Sequence, residues 1–443
     1  MTKENSILIF DIGKTNKKAI VFDSEFQVIH EESTTFSELV DEDNFPCDDI
    51  HGITKWIKET VERLILDEKL NINSINFSGY GASFVHLDDE MKLIAPIYNY
   101  LKPFSDELKS NFFSAYSPME KILVETAGPF LGSLNSGLLL YAIKETKPDL
   151  YKKIKYSLHL PQYFPFVFTG QVFSDITSIG CHTMLWDFTK NEYHQWVREE
   201  GIDKKLAPIE KNDTVVEVEI RNKKLQIGVG IHDSSAALIP YTETEQEPFA
   251  LISTGTWCIT LNPFNQHPLT KSELGSASLC YIQHNGKQVK AAQLFAGHIH
   301  EEGIKKISAH FKTESAFYKK IKLDENKLNS ENELKKNLIK EKTSLNFKES
   351  AFLSTDMTIF LDENEAYHYL MAEIVQQQTF SSSQVISNTE IKKICVDGGF
   401  GKNELYMKLL AKEFPSYHVV AASVPQASSI GAAMVMGKIR KII

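Results

Sequence analysis

The sequence predicts an α/β protein built as two similar domains that face each other across a cleft. Three observations carry that expectation. The chain of 443 residues is too long for one compact core. A hairpin pattern, two apolar runs around a small polar tip, occurs at residues 7–23 and again at residues 250–261. Each hairpin is followed by helix, strand and glycine loop in the same order, a repeat of plan rather than of sequence. The N-terminal domain is expected at residues 1–241 and the C-terminal domain at residues 242–443.

In chain order, the first hairpin turns at Gly13, which supplies the permissive backbone. Residues 26–36 read as a third strand. Residues 48–69 place Ile50, Ile53, Trp56, Ile57, Val61, Leu64 and Ile65 on one face of a helix, with Asp48 and Asp49 as start signals. A short strand at 75–78 runs into Gly79-Tyr80-Gly81-Ala82-Ser83, and residues 84–88 form another strand. Residues 105–155 read as mostly helical, punctuated by Gly128, Pro129 and Gly132. Residues 163–170 are aromatic-rich, and residues 174–180 are small, polar and turn-like. Strands at 215–220 and 225–229 precede a small-residue helix that starts at Asp233. In the second half, strands near 279–282 follow the hairpin, and a helix covers 363–387. A strand at 391–396 ends in Asp397-Gly398-Gly399-Phe400-Gly401-Lys402-Asn403. Helix 404–414, strand 419–422 and helix 428–440 complete the chain. The Lys-, Glu- and Asn-rich residues 301–350 read as solvated helices and loops.

Composition narrows the function. A formal net charge of −10 disfavours nucleic acid or an anionic membrane as partner. No apolar run has the length of a membrane span. The run Ile7–Phe10 stops at Asp11, too short for a signal peptide. The five cysteines are scattered without metal spacing, which fits a reducing cytoplasm and buried free thiols.

The chemistry-bearing residues cluster at the ends of strands. The first tip offers small side chains, backbone N–H groups, Thr15, Asn16 and the lysines Lys14, Lys17 and Lys18, a setting that suits an anion. Lys14, at the turn, is expected near a phosphate, whereas Lys17 and Lys18 are expected in solvent. A carboxylate beside a phosphate is repelled unless a cation intervenes, so Asp11 suggests Mg²⁺, held through water. Loop 397–403 ends a strand and opens a helix, where glycines admit a ligand to the backbone and the helix N-terminus favours an anion. Asp233 taken alone reads as an N-cap. Beside three phosphate-type loops it reads as a catalytic base. His232 reads as a substrate contact or a structural imidazole. His298 and His300, with Glu301 and Glu302, read as a helix face rather than a metal cluster.

These residues together resemble the FGGY family of carbohydrate kinases, over nearly the whole chain. Residues 11–16 are similar to the family's first phosphate loop, Ser253-Thr254-Gly255-Thr256-Trp257 to its second, and residues 397–403 to its adenosine loop. His232-Asp233-Ser234 is similar to the segment that carries the family's general base. Within the family, residues 79–88 look most like the rhamnulose and fuculose kinases. Tyr80 stands for a tryptophan there and Ser83 for an aspartate, Lys14 replaces a small residue, and Asn99 and Leu101 stand where relatives carry an aspartate after an aromatic. The resemblance implies actin-like (ribonuclease H-like) ATPase domains and ATP-dependent phosphorylation of a ketose or deoxyketose hydroxyl, with Asp233 as base. It implies ATP at Gly13, Lys14, Thr15, Asn16, Lys17, Gly255, Thr256, Gly398, Gly399 and Gly401. It implies sugar at Gly81, Ala82, Ser83, His232, Asp233 and Ser234, and Mg²⁺ at Asp11. A cytoplasmic enzyme is expected, with a homodimer as its candidate assembly. The rival expectation is an actin-like ATP-binding sensor, filament or chaperone-type ATPase without sugar chemistry.

Overall fold

The computed structural model describes residues 5–116, 118–328, 350–422 and 424–440. Residues 329–349 of the segment expected to be solvated lie outside the described residues. The chain divides into two units. The first comprises Met1–Thr244, Cys280–Gln288 and Gln426–Ile443, and the second Glu245–Leu279 and Val289–Pro425.

In the first unit, the opening hairpin forms as its pattern predicts. Strands Ser6–Ile12 and Lys17–Phe22 pair antiparallel, with Asp11 opposite Lys18 and Ile12 opposite Lys17. They sit inside a sheet whose strands run Val215–Ile220, Lys223–Gly228, Ile72–Gly79, Ser6–Ile12, Lys17–Phe22 and Val28–Thr34, with Ile231–His232 also beside Ile72–Gly79. Both faces of Ser6–Ile12 are covered, which explains a continuous apolar run where a half-buried strand would alternate. Leu8, Phe10 and Ile12 pack with Ile53, Ile57 and Val61 of helix Ile50–Ile65. Ile7 and Ile9 pack on the other side with residues of helices Asp233–Thr244 and Ala427–Arg440. Those two helices approach closely at Gly431, where a Cβ would lie 1.9 Å from the Ala236 carbonyl oxygen.

This packing bears on the expected domains. The contiguous blocks 1–241 and 242–443 differ from the observed division in residues 242–244, 280–288 and 426–443, which count with the first unit. Helix Ala427–Arg440 is last in sequence, but its apolar face is completed by the first strand and by helix Asp233–Thr244.

Residues 174–180 also differ from the turn expected. Ser174–Asp175 forms a short strand and Ile176–Ile179 a short helix. The buried Asp175 carboxyl caps that helix, accepting from Ser178 N at 3.0 Å and from Thr177 Oγ1, while Asn212 Nδ2 donates to its other oxygen. Those donors, one of them distant in sequence, give the polar stretch a reason to order.

The second unit repeats the arrangement. Its sheet includes, in order, Gln288–Leu294, Cys258–Asn262, Phe249–Thr254, Lys393–Gly398 and His418–Ala421. Helix Glu363–Ile386 is capped by Asp362, whose carboxylate accepts from Glu365 N at 2.7 Å. Ile12 pairs with Gly79 in one unit and Thr254 with Gly398 in the other, both in parallel. Each pairing sets a hairpin beside a glycine-bearing loop. Among the described residues no helix is long and apolar enough to cross a membrane. All five cysteines are buried, and none is in a disulfide.

Candidate functional site

Asp233 begins its helix directly after strand Ile231–His232. Its Oδ1 accepts from Ser234 N at 2.5 Å and from Ser234 Oγ at 3.2 Å. Burial pushes the carboxyl up to about 6, against those hydrogen bonds. The side chain still keeps 32% exposure, enough to meet a ligand. Beside it, His232 is buried, and desolvation holds its ring down to about 4, so the imidazole is neutral. Its Nε2 lies 3.0 Å from Cys181 Sγ and 3.3 Å from Asp233 Oδ1, and its ring stacks on Tyr281.

Gly81 supports this ring, since a Cβ there would lie 3.0 Å from His232 Cδ2. Ala82 adopts a left-handed backbone, φ 64°. Ser83 is buried and donates to the Tyr80 hydroxyl, which itself donates to Asp48 Oδ2 at 2.6 Å. Of the residues expected to meet substrate, Gly81, Ala82, Ser83 and His232 are thus buried, whereas Asp233 and Ser234 are partly open.

Asp11 lies near the end of the opening strand. Its Oδ2 accepts from Ser428 Oγ at 2.7 Å and Ser429 Oγ at 3.1 Å. Burial raises its pKa, and the Asp233 charge pushes the same way. Among the described residues neither carboxylate has an ion pair with lysine or arginine. The Lys18 charge pulls Asp11 the other way, and a carboxylate flanked by two hydroxyls beside a second carboxylate fits a hard cation such as Mg²⁺.

The hairpin tip corrects two expectations. Gly13 N donates to Asn16 O at 3.0 Å to close the turn, leaving Thr15 and Asn16 exposed. Lys17, expected in solvent, is buried, and its Nζ donates to the Lys14 carbonyl at 2.8 Å. Burial lowers its pKa. Lys14, expected near a phosphate, is held by Asp48 at 2.8 Å and Glu38 at 3.0 Å. Burial works against its ammonium, yet those carboxylates keep its pKa above the ordinary value.

In the second unit, Thr254 organises the other tip. Its Oγ1 donates to the Asp397 carbonyl at 2.6 Å and accepts from Phe400 N at 3.1 Å. Gly398 sits at φ 89°, and a Cβ there would lie 2.0 Å from the Thr254 carbonyl oxygen. Only glycine fits that position. Gly401 is similarly tight against Val396 O, at 2.5 Å. Gly399 instead faces open space, with nothing within 4 Å of a Cβ. A cavity of ≈ 770 Å³ opens here, lined in part by Gly255, Thr256, Gly297, Tyr318, Gly399 and Asn403. Asn403 caps helix Glu404–Glu413, accepting from Tyr406 N at 3.1 Å, so a helix N-terminus borders the cavity. Gly398 and Gly401 shape the loop, while Gly255, Thr256 and Gly399 line the space. His300, set aside as a ligand, has its Nε2 3.1 Å from the Tyr367 hydroxyl.

Sequence reasoning missed Glu38, Asp48, Cys181, Tyr281, Ser428 and Ser429. Each meets its partner across a long stretch of chain, and no local pattern announces it. Thr254 was legible, because it stands in the repeated hairpin motif.

Residues 6–218 match the FGGY family of carbohydrate kinases, N-terminal domain. A curated rhamnulokinase from Oceanobacillus iheyensis is 25% identical over 231 residues, 50% of this chain and 48% of that protein. An L-fuculokinase from Escherichia coli strain K12 is 24% identical over 279 residues, 58% of this chain and 57% of that protein. The chain therefore spans about half the length of the curated relatives it matches. A solved carbohydrate kinase from Novosphingobium aromaticivorans aligns with a TM-score of 0.79 at 19% identity, covering 98% of this chain and 91% of that one. That likeness shows the fold, two actin-like α/β domains.

Proposed function

We propose that this chain, a member of the FGGY family of carbohydrate kinases through its residues 6–218, transfers the γ-phosphate of ATP to a hydroxyl of a ketose or deoxyketose. The observation that carries the reading is Asp233, a partly open carboxyl without a cationic partner, its proton affinity raised by burial to about 6. Such a group is ionised at neutral pH and still basic enough to take a hydroxyl proton. A loose phosphoryl-transfer transition state asks little of base strength and much of positioning. The similarity to a rhamnulokinase and an L-fuculokinase supports a ketose-type acceptor.

In this reading the sugar lies against Asp233 and Ser234, with Gly81, Ala82, Ser83 and His232 forming the wall behind them. The nucleotide occupies the cavity of the second unit, its phosphates near Gly255, Thr256 and the N-terminus of helix Glu404–Glu413. Gly398 and Gly401 keep the backbone of that loop in place. Gly13, Thr15 and Asn16 present backbone and small polar groups to phosphate, and Lys14 and Lys17 brace the tip from beneath. Asp11, with Ser428 and Ser429, would hold Mg²⁺, which when bound offsets the negative charge of the phosphates. Asp233 accepts the hydroxyl proton as the sugar oxygen bonds to phosphorus.

The test is ADP release in Mg²⁺ across a panel of ketoses, pentitols and aldoses. Turnover that depends on a sugar is the expected result. ADP release equal with and without every sugar would instead favour an actin-like ATPase.

A further inference from the structure

Two kinds of surface line the cavity of the second unit. The N-terminus of helix Glu404–Glu413 brings backbone N–H groups suited to phosphate. Another part of the lining is aromatic, from His300, Tyr318 and Phe400. The three rings are not equivalent. Phe400 is buried and stacks on Tyr406 at 4.7 Å. His300 stands edge-on to Tyr318, Phe400 and Tyr367, at 5.0, 5.3 and 5.8 Å between centroids. Tyr318 is only half-buried. The wholly buried Tyr367, 5.5 Å away and 36° from parallel, backs its ring, and the His300 ring abuts it. A ring fixed by its neighbours and partly open to a cavity is a stacking surface, because it has little rotamer freedom left to lose when a ligand meets it.

The amide and charged side chains of the same lining discriminate little between bases. Asn403 has an amide that could both donate to a base edge and accept from it. Its Oδ1 is spent on Tyr406 N at 3.1 Å, and its Nδ2 on the Tyr367 hydroxyl at 2.6 Å. The carboxylates of Glu301 and Glu404 pair with Lys305 and Lys408, at 2.9 and 2.7 Å. Lys319, Lys320 and Lys322 are exposed, and their ammonium groups donate but cannot accept. Adenine and guanine both offer N7 to such a donor.

On the reading that puts the nucleotide in this cavity, we propose that Tyr318 is the specificity-determining residue for it: the base is held by stacking on the Tyr318 ring rather than by hydrogen bonds to its edge, and the site takes adenine and guanine nucleotides alike. Every base has a π-face, so a stacking platform tolerates either purine.

The test is calorimetry of ADP and of GDP on the full chain in Mg²⁺, with Tm measured beside it to show that each variant is folded. Wild type should bind both, with dissociation constants within about fivefold of each other. Tyr318→Leu fills much of the same space without a π-face. It should weaken both nucleotides about tenfold, inside the range that base–aromatic stacking gives on truncation. Tyr318→Phe keeps the face and should bind both as wild type does. A wider preference for one purine in wild type overturns the proposal without any variant. So does a folded Tyr318→Leu that binds ADP within about threefold of wild type, or a Tyr318→Phe that loses as much as Tyr318→Leu. Wild type that binds neither nucleotide overturns the placement of the nucleotide in this cavity, and the stack with it. Nucleotide binding that Tyr318→Leu leaves unmoved overturns the stack alone.

Discussion

The two hairpins share a plan and differ in what their tips do. In the first, the charged side chains are consumed within the unit. Lys14 is held by Asp48 and Glu38, and Lys17 by the Lys14 carbonyl. In the second, the tip carries no charge, and Thr254 ties it to loop 397–403 while Gly255 and Thr256 face a cavity. A lysine-rich turn is thus no measure of an anion site. Open space at a helix N-terminus is a better one, because the first-turn N–H groups there have no partner within the helix. On the proposed reading, the acceptor and its base belong to the first unit and the nucleotide to the second.

The sharpest way to break that assignment is Asp233→Asn. Turnover should fall about 10²–10⁴-fold, the general-base scale, while ADP affinity measured by calorimetry stays within about twofold of wild type. The same variant makes a thermal prediction. The folded Asp233 carboxyl titrates near about 6, above its ordinary 3.8. The folded chain therefore binds this proton more tightly than the unfolded chain. The cost of the ionised form is fully present above about pH 6 and is relieved as pH falls toward about 4. Asparagine carries no such charge. Asp233→Asn should raise Tm at neutral pH, and the gain should fade in acid. A variant that keeps near wild-type kcat would return Asp233 to a capping role.

Gly399→Val tests the other side with a smaller effect. Nothing lies within 4 Å of a Cβ at this position, so the valine fits the fold and projects into the cavity. ADP affinity should drop about tenfold or more, about 1.4 kcal/mol, with Tm nearly unchanged. Gly398 would be a poor probe, because its φ of 89° and the nearby Thr254 carbonyl would damage the fold first. Unchanged ADP affinity in a folded Gly399→Val protein would move the nucleotide elsewhere and erase the contrast between the hairpins.

What the sequence disclosed follows the range of the interactions. Both hairpins, helix Ile50–Ile65 and loop 397–403 were legible, since periodicity, caps and glycines act over a few residues. The division into units was less so. Helix Ala427–Arg440 belongs with strand Ser6–Ile12 through packing that only the folded chain brings about. The site divides in the same way. Asp233 stood out by its place after a strand. The groups that set its chemistry did not: Cys181 reaches His232 across 51 residues, and Ser428 reaches Asp11 across 417. The lysine tip misled for the same reason. Whether a lysine is solvated depends on which carboxylates the fold brings near, and Asp48 lies 34 residues from Lys14.

Lys14→Ala should give the smallest effect and the finest test of the comparison. Were Lys14 a phosphate ligand, its loss would lower kcat and kcat/KM together. The structure commits its ammonium to Asp48 and Glu38, with the Tyr100 ring 5.9 Å away. Asp48 also receives the Tyr80 hydroxyl, so the lysine braces the loop that carries Gly81 and Ser83. Removing it leaves a nearly buried carboxylate with one donor fewer, and the loop should loosen. The expected result is a sugar KM raised about threefold, a kcat and ATP KM close to wild type, and a stability loss of about 1 kcal/mol. Lys14→Met keeps the stem and separates packing from charge. High salt should change little, because the pair is close and partly shielded from solvent. If kcat falls at saturating sugar and ATP, Lys14 reaches the phosphate during turnover, and the first hairpin rejoins the second as a phosphate loop.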